Sequence, residues 1–237
     1  SIAYQRNDWR IGASIPYYST QRGSLDSAIE DWHDFFGLPQ NGRKLNPDDQ
    51  LNINYTRNGN VIYLQTRSAG GLGDIALSLS YLLASDDKGA TEISFAIDLP
   101  TGSSADNTGN EKVDLAIWFR KTSAVTAHSS LFGLIGVSRL GRGGQLEDHL
   151  ERQVWTAQIG FDYAFKSSVS GVLQLDMHSS LIKNSALVAL GNSAQIQIGL
   201  KFTKLIDNHD LSLFISEDIL VGSAPDITFG LQLNRSY

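Results

Sequence analysis

Apolar and polar side chains alternate along most of this chain, regularly enough to assign each to a face. The closing run DITFGLQLNRSY puts Ile227, Phe229, Leu231, Leu233 and Tyr237 on one side and Asp226, Thr228, Gly230, Gln232, Asn234 and Ser236 on the other. Successive side chains of a strand point to opposite faces, so this run predicts a strand with one greasy and one wet surface. In VWTAQIGFDYAFK, Trp155, Ala157, Ile159, Phe161, Tyr163 and Phe165 alternate with Thr156, Gln158, Gly160, Asp162 and Ala164. The same division sets Ile93, Phe95, Ile97 and Leu99 against Glu92, Ser94 and Asp98, and Ile196, Ile198, Leu200 and Phe202 against Gln195, Gln197, Gly199 and Lys201.

About ten such segments follow one another, at 8–18, 74–86, 90–100, 112–122, 129–140, 153–166, 170–183, 194–206, 209–222 and 226–237. Each is near the roughly 9–11 residues that a tilted strand needs to cross a bilayer. The segment at 129–140 has the least regular parity. Connections alternate between short polar turns such as SDDKGA and longer ones such as TGSSADNTGNEK. Short turns on one side and long loops on the other are the habit of outer-membrane barrels. Trp9, Tyr17, Tyr18, Trp155, Tyr163 and Tyr237 fall near strand ends, where an aromatic girdle would sit.

A soluble β-sandwich or lipocalin-like barrel also alternates, but it points its apolar face inward and solvates a polar face rich in Lys and Glu. Here the polar faces carry mostly Ser, Thr, Gly, Gln and Asp, and large aromatics stand on the apolar faces. The pattern therefore predicts an all-β fold, a transmembrane antiparallel up-and-down β-barrel. The whole chain, 1–237, reads as a single outer-membrane barrel domain, located in the bacterial outer membrane with outer-membrane lipid around it.

Composition removes alternatives more than it adds. The uninterrupted apolar runs are only a few residues long, far short of the roughly 20 that a spanning helix needs. With no cysteine, thiolate chemistry and disulfide scaffolds are out. A formal net charge of -6 argues against a nucleic-acid partner, which would require clustered Lys and Arg. GLGD and GRGG lack the strand-to-helix setting of a phosphate-binding loop, and no spacing suits a metal, so no cofactor is expected. No basic and apolar leader opens the chain at Ser1, which reads as a sequence already without its signal peptide.

One excursion, residues 20–73, breaks the rhythm. SLDSAIEDWHDFFGLP predicts a short helix capped near Ser24, with Leu25, Ile29, Trp32 and Phe36 along one face and a stop at Gly37 and Pro39. The pair Asn58-Gly59 lies between two alternating runs and predicts a hairpin flap. The loop can be a plug in the lumen, a lid over the mouth, or a surface for a protein partner; alternatively the aromatic helix face simply packs on the barrel rim.

The runs IPYYSTQRGSLDSAIEDWHDFFGLPQNGR, GLGDIALSLSYLL, IDLPTGSS, QLDMHSSLIKNS and SEDILVGSAPDITFGL resemble, in this order, the outer-membrane proteins grouped as domain-of-unknown-function family 3187, from about Trp9 onward. The GLGD and LPTG pair also resembles a wider set of barrels associated with aromatic-degradation pathways. The resemblance implies an outer-membrane barrel and, from the wider set, uptake of small, including apolar, molecules. Family members carry sequence before the segment matching Trp9, so the resemblance also implies a twelve-stranded complete barrel.

Parity predicts an inward set of Arg10, Asp98, Asp114, Arg120, Asp162, Asp176, His178, Lys201 and Asp218, whose opposite charges could pair across the lumen. Mixed signs predict no ion preference, and ten or twelve strands are too few for a wide pore. The expected task is a narrow or gated conduit for small molecules; the alternative is a filled barrel with a structural or partner-binding role. Asp176, His178 and Ser180 alternate on one strand and offer a lipid-hydrolase reading, with His178 as base and Ser180 as nucleophile. Parity turns His178 away from lipid, so a lumen histidine bonded to Asp176 is the expectation, and no enzyme activity is predicted. Glu217 is irregular, because the parity of Leu211, Leu213 and Ile215 points it outward; a bulge near Ser216 or a place above the hydrocarbon would resolve this.

Overall fold

The computed structural model describes residues 1–40, 42–144, 146–206, 209–220, 222 and 227–235. Among these, eleven strands form one antiparallel sheet in chain order: β1 (Ile2–Arg6), β2 (Trp9–Ser14), β7 (Ile75–Asp86), β8 (Gly89–Leu99), β9 (Asp114–Thr126), β10 (Ser129–Arg139), β11 (Gln153–Lys166), β12 (Val169–His178), β13 (Ser193–Ile206), β14 (His209–Asp218) and β15 (Ile227–Arg235). The excursion holds β3 (Tyr17–Thr20) paired with β6 (Ala69–Leu72), the hairpin β4 (Ile53–Arg57) and β5 (Asn60–Gln65), and the helix α1 (Asp26–Phe36). Every neighbour in the large sheet is the next strand of the wall, which is the up-and-down barrel topology. β1 and β15 are its two outer strands.

Burial is inverted relative to a water-soluble protein. Among the described residues the one buried apolar side chain is Ile182, whereas the buried polar set includes Ser80, Ser94, Ser129, Ser193 and Ser216 of the sheet. Ser94 is fully enclosed, while Ile198 on the opposite face is 62% exposed and Ile135 63%. A face this apolar and this exposed fits hydrocarbon, where each strand must still satisfy its peptide groups through its neighbours. The ladders do that through runs such as Leu173↔Ile198↔Ile215↔Phe229, four outward side chains side by side.

The register also settles the irregular strand. In β10, Leu131, Ile135 and Val137 share the outward face with Phe161, Ala157 and Trp155 of β11, so Phe132 and Leu134 point inward. Turns and loops separate cleanly by end. Asn7-Asp8, Asp87-Lys88, Ala127-His128 and Ser167-Ser168 are two-residue turns at one end, and residues 15–74, 100–113, 140–152 and 179–192 join the strands at the other. In outer-membrane barrels the short turns face the periplasm, so the long loops lie outside. Trp9 lies in tilted contact with Tyr81 (ring centroids 4.5 Å apart) and Tyr163 edge-on to Phe165 (5.3 Å) at the turn end, with Trp155 at the loop end, as a girdle requires. Tyr237 lies outside the described residues.

Several boundaries differ from the sequence reading. β1 goes beyond the ten expected segments: IAYQR alternates over only five residues and pairs with β2 across the Asn7-Asp8 turn. The expected strand 8–18 ends at Ser14, and Tyr17 and Tyr18 belong instead to the small β3–β6 ribbon. β12 stops at His178, well short of 183, because the chain there turns to meet the loop before β11. No register shift occurs near Ser216, so of the two alternatives the bulge is absent; Glu217 does face outward, and it sits one residue from the end of β14.

A charge in the middle of the outward face should be far more costly than one on the inward face. Ile198→Arg is expected to lower stability by about 2–4 kcal/mol, read as a shift of the urea midpoint in lipid vesicles. Gln197→Arg should shift it much less, and equal shifts would contradict the assignment of faces.

Candidate functional site

The inward face is a polar wall held together mainly by neutral partners. Arg10 donates to both carboxylate oxygens of Glu92 at 2.7 and 2.8 Å, and the Ser94 hydroxyl lies 3.1 Å from Glu92 and 2.8 Å from the Ser80 hydroxyl. Farther round, Gln158 and Gln174 each donate an amide to Asp176 (2.7 and 2.8 Å), and Ser170 donates to Asp162 (3.1 Å). Register places all nine predicted residues on this face: Asp98 opposite Asp114, Arg120 opposite Glu92, Lys201 opposite Ser212 and Asp218 opposite Gln195 among them. The predicted pairing of opposite charges across the lumen is largely replaced. Among the described residues the wall contains the single ion pair Arg10–Glu92, and Asp218 instead accepts the backbone N–H of Gly222 at 2.6 Å.

Two inward phenylalanines lie over glycines of the neighbouring strand. Phe132 is opposite Gly160 and Phe214 opposite Gly230, and a methyl group at either glycine would fall 2.2 or 2.0 Å from the ring. The missing side chains are what leave room for the rings, so these glycines set the shape of the bore.

At the loop end, GLGD and LPTG come together as a clamp. Asp74 accepts N–H groups from Gly102 (2.8 Å) and Asn110 (3.3 Å), and Thr101 Oγ1 accepts from Ile75 N (2.9 Å) while lying 2.9 Å from the Gly73 carbonyl. Asp114 accepts from Gly141 N at 2.6 Å and Asn110 Nδ2 at 3.3 Å, tying loops 100–113 and 140–152 to each other. Ser104 donates its hydroxyl and amide to Glu111, which holds that carboxyl below its ordinary range. A lowered carboxylate contributes its anchoring above the ordinary pKa and loses it as pH falls through the lowered one.

The β4–β5 hairpin is bonded at both ends to the outer loops. Its Gln65, buried, accepts from Asn107 Nδ2 (2.7 Å) and Tyr63 OH (2.8 Å), which fixes one end to the β8–β9 loop. Burial raises the Tyr63 phenol above its ordinary pKa, so it stays a donor. Near the tip, Arg57 reaches His149 Nδ1 at 3.2 Å and donates to the carbonyls of Lys183 and Asn184 at 3.3 Å each. The loops it reaches are themselves zipped by the bridge Leu150↔Ile182, which buries Ile182. The flap thus joins the β8–β9 loop to the β10–β11 and β12–β13 loops. Tyr63 of the hairpin also lines a cavity of about 530 Å³, together with Tyr18, Leu146, Asp74, Asp98 and Asn107 among others.

The aromatic face of the helix is largely exposed and not packed against the sheet. Trp32 and Phe36 lie in tilted contact (4.4 Å), Leu25, Trp32 and Phe36 are exposed and Ile29 half-buried, and among the described residues α1 is bonded to the segment after it through Arg43–Asp26, Lys44–Asp34, Gln40 and Asp49. Its N-cap is Leu25, without a side-chain bond, rather than Ser24; its end at a left-handed Gly37 is as predicted. The hydrolase constellation does not assemble either. His178 Nδ1 bonds the Ser179 carbonyl (2.9 Å) and not Asp176, while the Ser180 hydroxyl lies 2.6 Å from the Ile182 carbonyl and 2.8 Å from that of Leu190.

The sequence matches, across residues 1–237, the family described as "Protein of unknown function (DUF3187)". The chain belongs to that family. No curated protein matches it in sequence. Its fold is similar to that of the COG4313 outer membrane channel from Pseudomonas putida F1, at 12% identity, 98% of this chain, 78% of that one and a TM-score of 0.61. It is also similar to the NanC porin, at 7% identity, 79% of this chain, 91% of that one and a TM-score of 0.52. A looser likeness, TM-score 0.45 at 12% identity over 97% of this chain and 71% of that one, is to the Pseudomonas putida toluene transporter TodX. With its inverted burial, this DUF3187 chain is an outer-membrane β-barrel.

Within the sequence reading, Glu92 is on the correct face but unmarked as the partner of Arg10. Gln65, Asn107 and Arg57 carry no sequence signal, since their partners are 42 to 127 positions away. Asp74 carries one, the GLGD and LPTG pair.

Two substitutions test this wall and its clamp. Gly160→Ala should lower stability by about 1–3 kcal/mol and become nearly neutral in a Phe132→Ala background; additive effects in that double-mutant cycle would contradict the ring-over-glycine contact. Asp74→Ala should speed amide exchange across 100–113 while leaving the β8 and β9 ladders protected, and unchanged exchange in the loop would rule out the clamp.

Proposed function

We propose that this barrel is a narrow, gated conduit for small molecules, with the β4–β5 hairpin as the gate. The observation that carries it is the cavity of about 530 Å³ lined by Tyr63 of the hairpin together with residues of the loops and the polar wall. That volume is in the range of small-molecule sites, roughly 300–1,000 Å³. Its lining mixes Pro16, Tyr18, Tyr63, Leu146 and Leu150 with Asp74, Asp98 and Asn107, a surface suited to small solutes with an apolar body and a polar group. The mixture of Arg10, Arg120 and Lys201 with the aspartates gives no ring of one sign, so the conduit is not an ion-selective one. The likeness in fold to a protein described as an outer membrane channel supports the reading.

The same bonds that would latch a gate could also seal the barrel, and Gln65 and Arg57 are the specific observation behind a closed, structural barrel. Planar-bilayer recordings separate the two. The conduit predicts small, interrupted conductance for the native protein and longer openings for Gln65→Ala/Asn107→Ala. Silence in both, with the variant folded, would favour the closed barrel and a role in binding a partner protein.

A further inference from the structure

Outside the lumen, at the loop end of β9–β11, a cleft of about 610 Å³ is lined by Arg139, Arg142 and Arg152 together with Val113, Leu115 and Leu140. Directly against it on the outward face lies an apolar groove of about 620 Å³ formed by Leu77, Leu79, Phe95, Ile97, Leu115 and Ile117, with Arg139 and Gln153 at its loop-side end. Leu115 and Arg139 line both, so the groove and the cleft are one continuous surface. We propose that this surface binds a phosphate-bearing lipid of the outer leaflet, with acyl chains in the groove and phosphate among the three guanidiniums.

Three observations converge on that occupant. Arg139 faces outward, opposite Leu115 and Gln153 in the ladder, where a solvated soluble partner could not approach the strand without displacing lipid. Leu140 N donates to the Arg152 carbonyl at 2.9 Å, so the backbones that carry Arg139 and Arg152 are held side by side. Among the described residues, none of the three guanidiniums makes an ion pair within 4.0 Å, although Glu147 and Asp148 line the same cleft. A guanidinium binds phosphate through directional, charge-assisted bonds, and three together at a hydrocarbon boundary complement an anionic headgroup. The two carboxylates weaken the attraction for a free anion. A lipid overcomes that by filling the groove at the same time.

The site rests on the long loops facing outward and is independent of whether the lumen conducts. Native mass spectrometry of the protein in neutral detergent, titrated with lipid A, dephosphorylated lipid A or inorganic phosphate, tests it. The native protein should hold lipid A about tenfold more tightly than its dephosphorylated form. Arg139→Gln/Arg142→Gln/Arg152→Gln should erase that difference, the corresponding triple Lys variant should restore part of it, and Lys121→Gln, near the turn end of β9, should leave it intact. Equal binding of the two lipids by the native protein would overturn the proposal. So would full displacement by inorganic phosphate, which would leave a plain anion site, or undiminished preference in a folded triple Gln variant.

Discussion

Hydrocarbon offers a peptide group no hydrogen-bond partner, and this constraint governs the molecule from end to end. A spanning strand must give its ladder bonds to its neighbours, and the strands from β2 to β14 in the large sheet each pair with a wall strand on both sides. Once the backbone is spoken for, side chains are free to divide by solvent. Most isoleucine, leucine and phenylalanine side chains of the wall go to the lipid, and serine, glutamine and aspartate go inside, where Ser94 is more enclosed than any leucine of the sheet. The interior is then stabilised by hydrogen bonds rather than by hydrophobic burial, which explains why amides such as Gln158 and Gln174 take the place of opposite charges around Asp176.

Beyond the membrane the rule relaxes and a second kind of order takes over. The outer loops contain little apolar core, and Ile182 is the one enclosed apolar side chain among the described residues. Their shape comes instead from carboxylates and amides that collect backbone N–H groups: Asp74 for Gly102 and Asn110, Asp114 for Gly141. Such contacts are individually modest but directional, and they hold the hairpin in one place beside the cavity.

What could be read from the sequence follows from this division. Alternation is a local signal with a period of two residues, so the faces of β7, β8, β11 and β13 and the inward positions of Arg10, Asp162 and Lys201 are legible without a structure. β10 is harder because Phe132 and Leu134 occupy the inward face, and the space for Phe132 comes from Gly160 on the next strand; that fit belongs to two strands and not to one. β1 is too short for periodicity to distinguish from a tail. The hairpin's anchorage is invisible because Arg57 and Lys183 meet through folding alone. His178 misleads for a related reason: sequence alternation continues to Ser180, but the ladder stops at His178.

The hairpin's two attachments have a mechanical meaning. Gln65 holds the strand pair that enters the β8–β9 loop, and Arg57 holds the one that leaves from β12. Hydrogen bonds of 2.7 to 3.3 Å stretch by only tenths of an ångström before they fail. The hairpin is therefore a brace between these loops. Spreading the β8–β9 loop away from the β12–β13 loop requires breaking bonds at one end of the hairpin or the other, so the hairpin converts three separate outer loops into one mechanical unit.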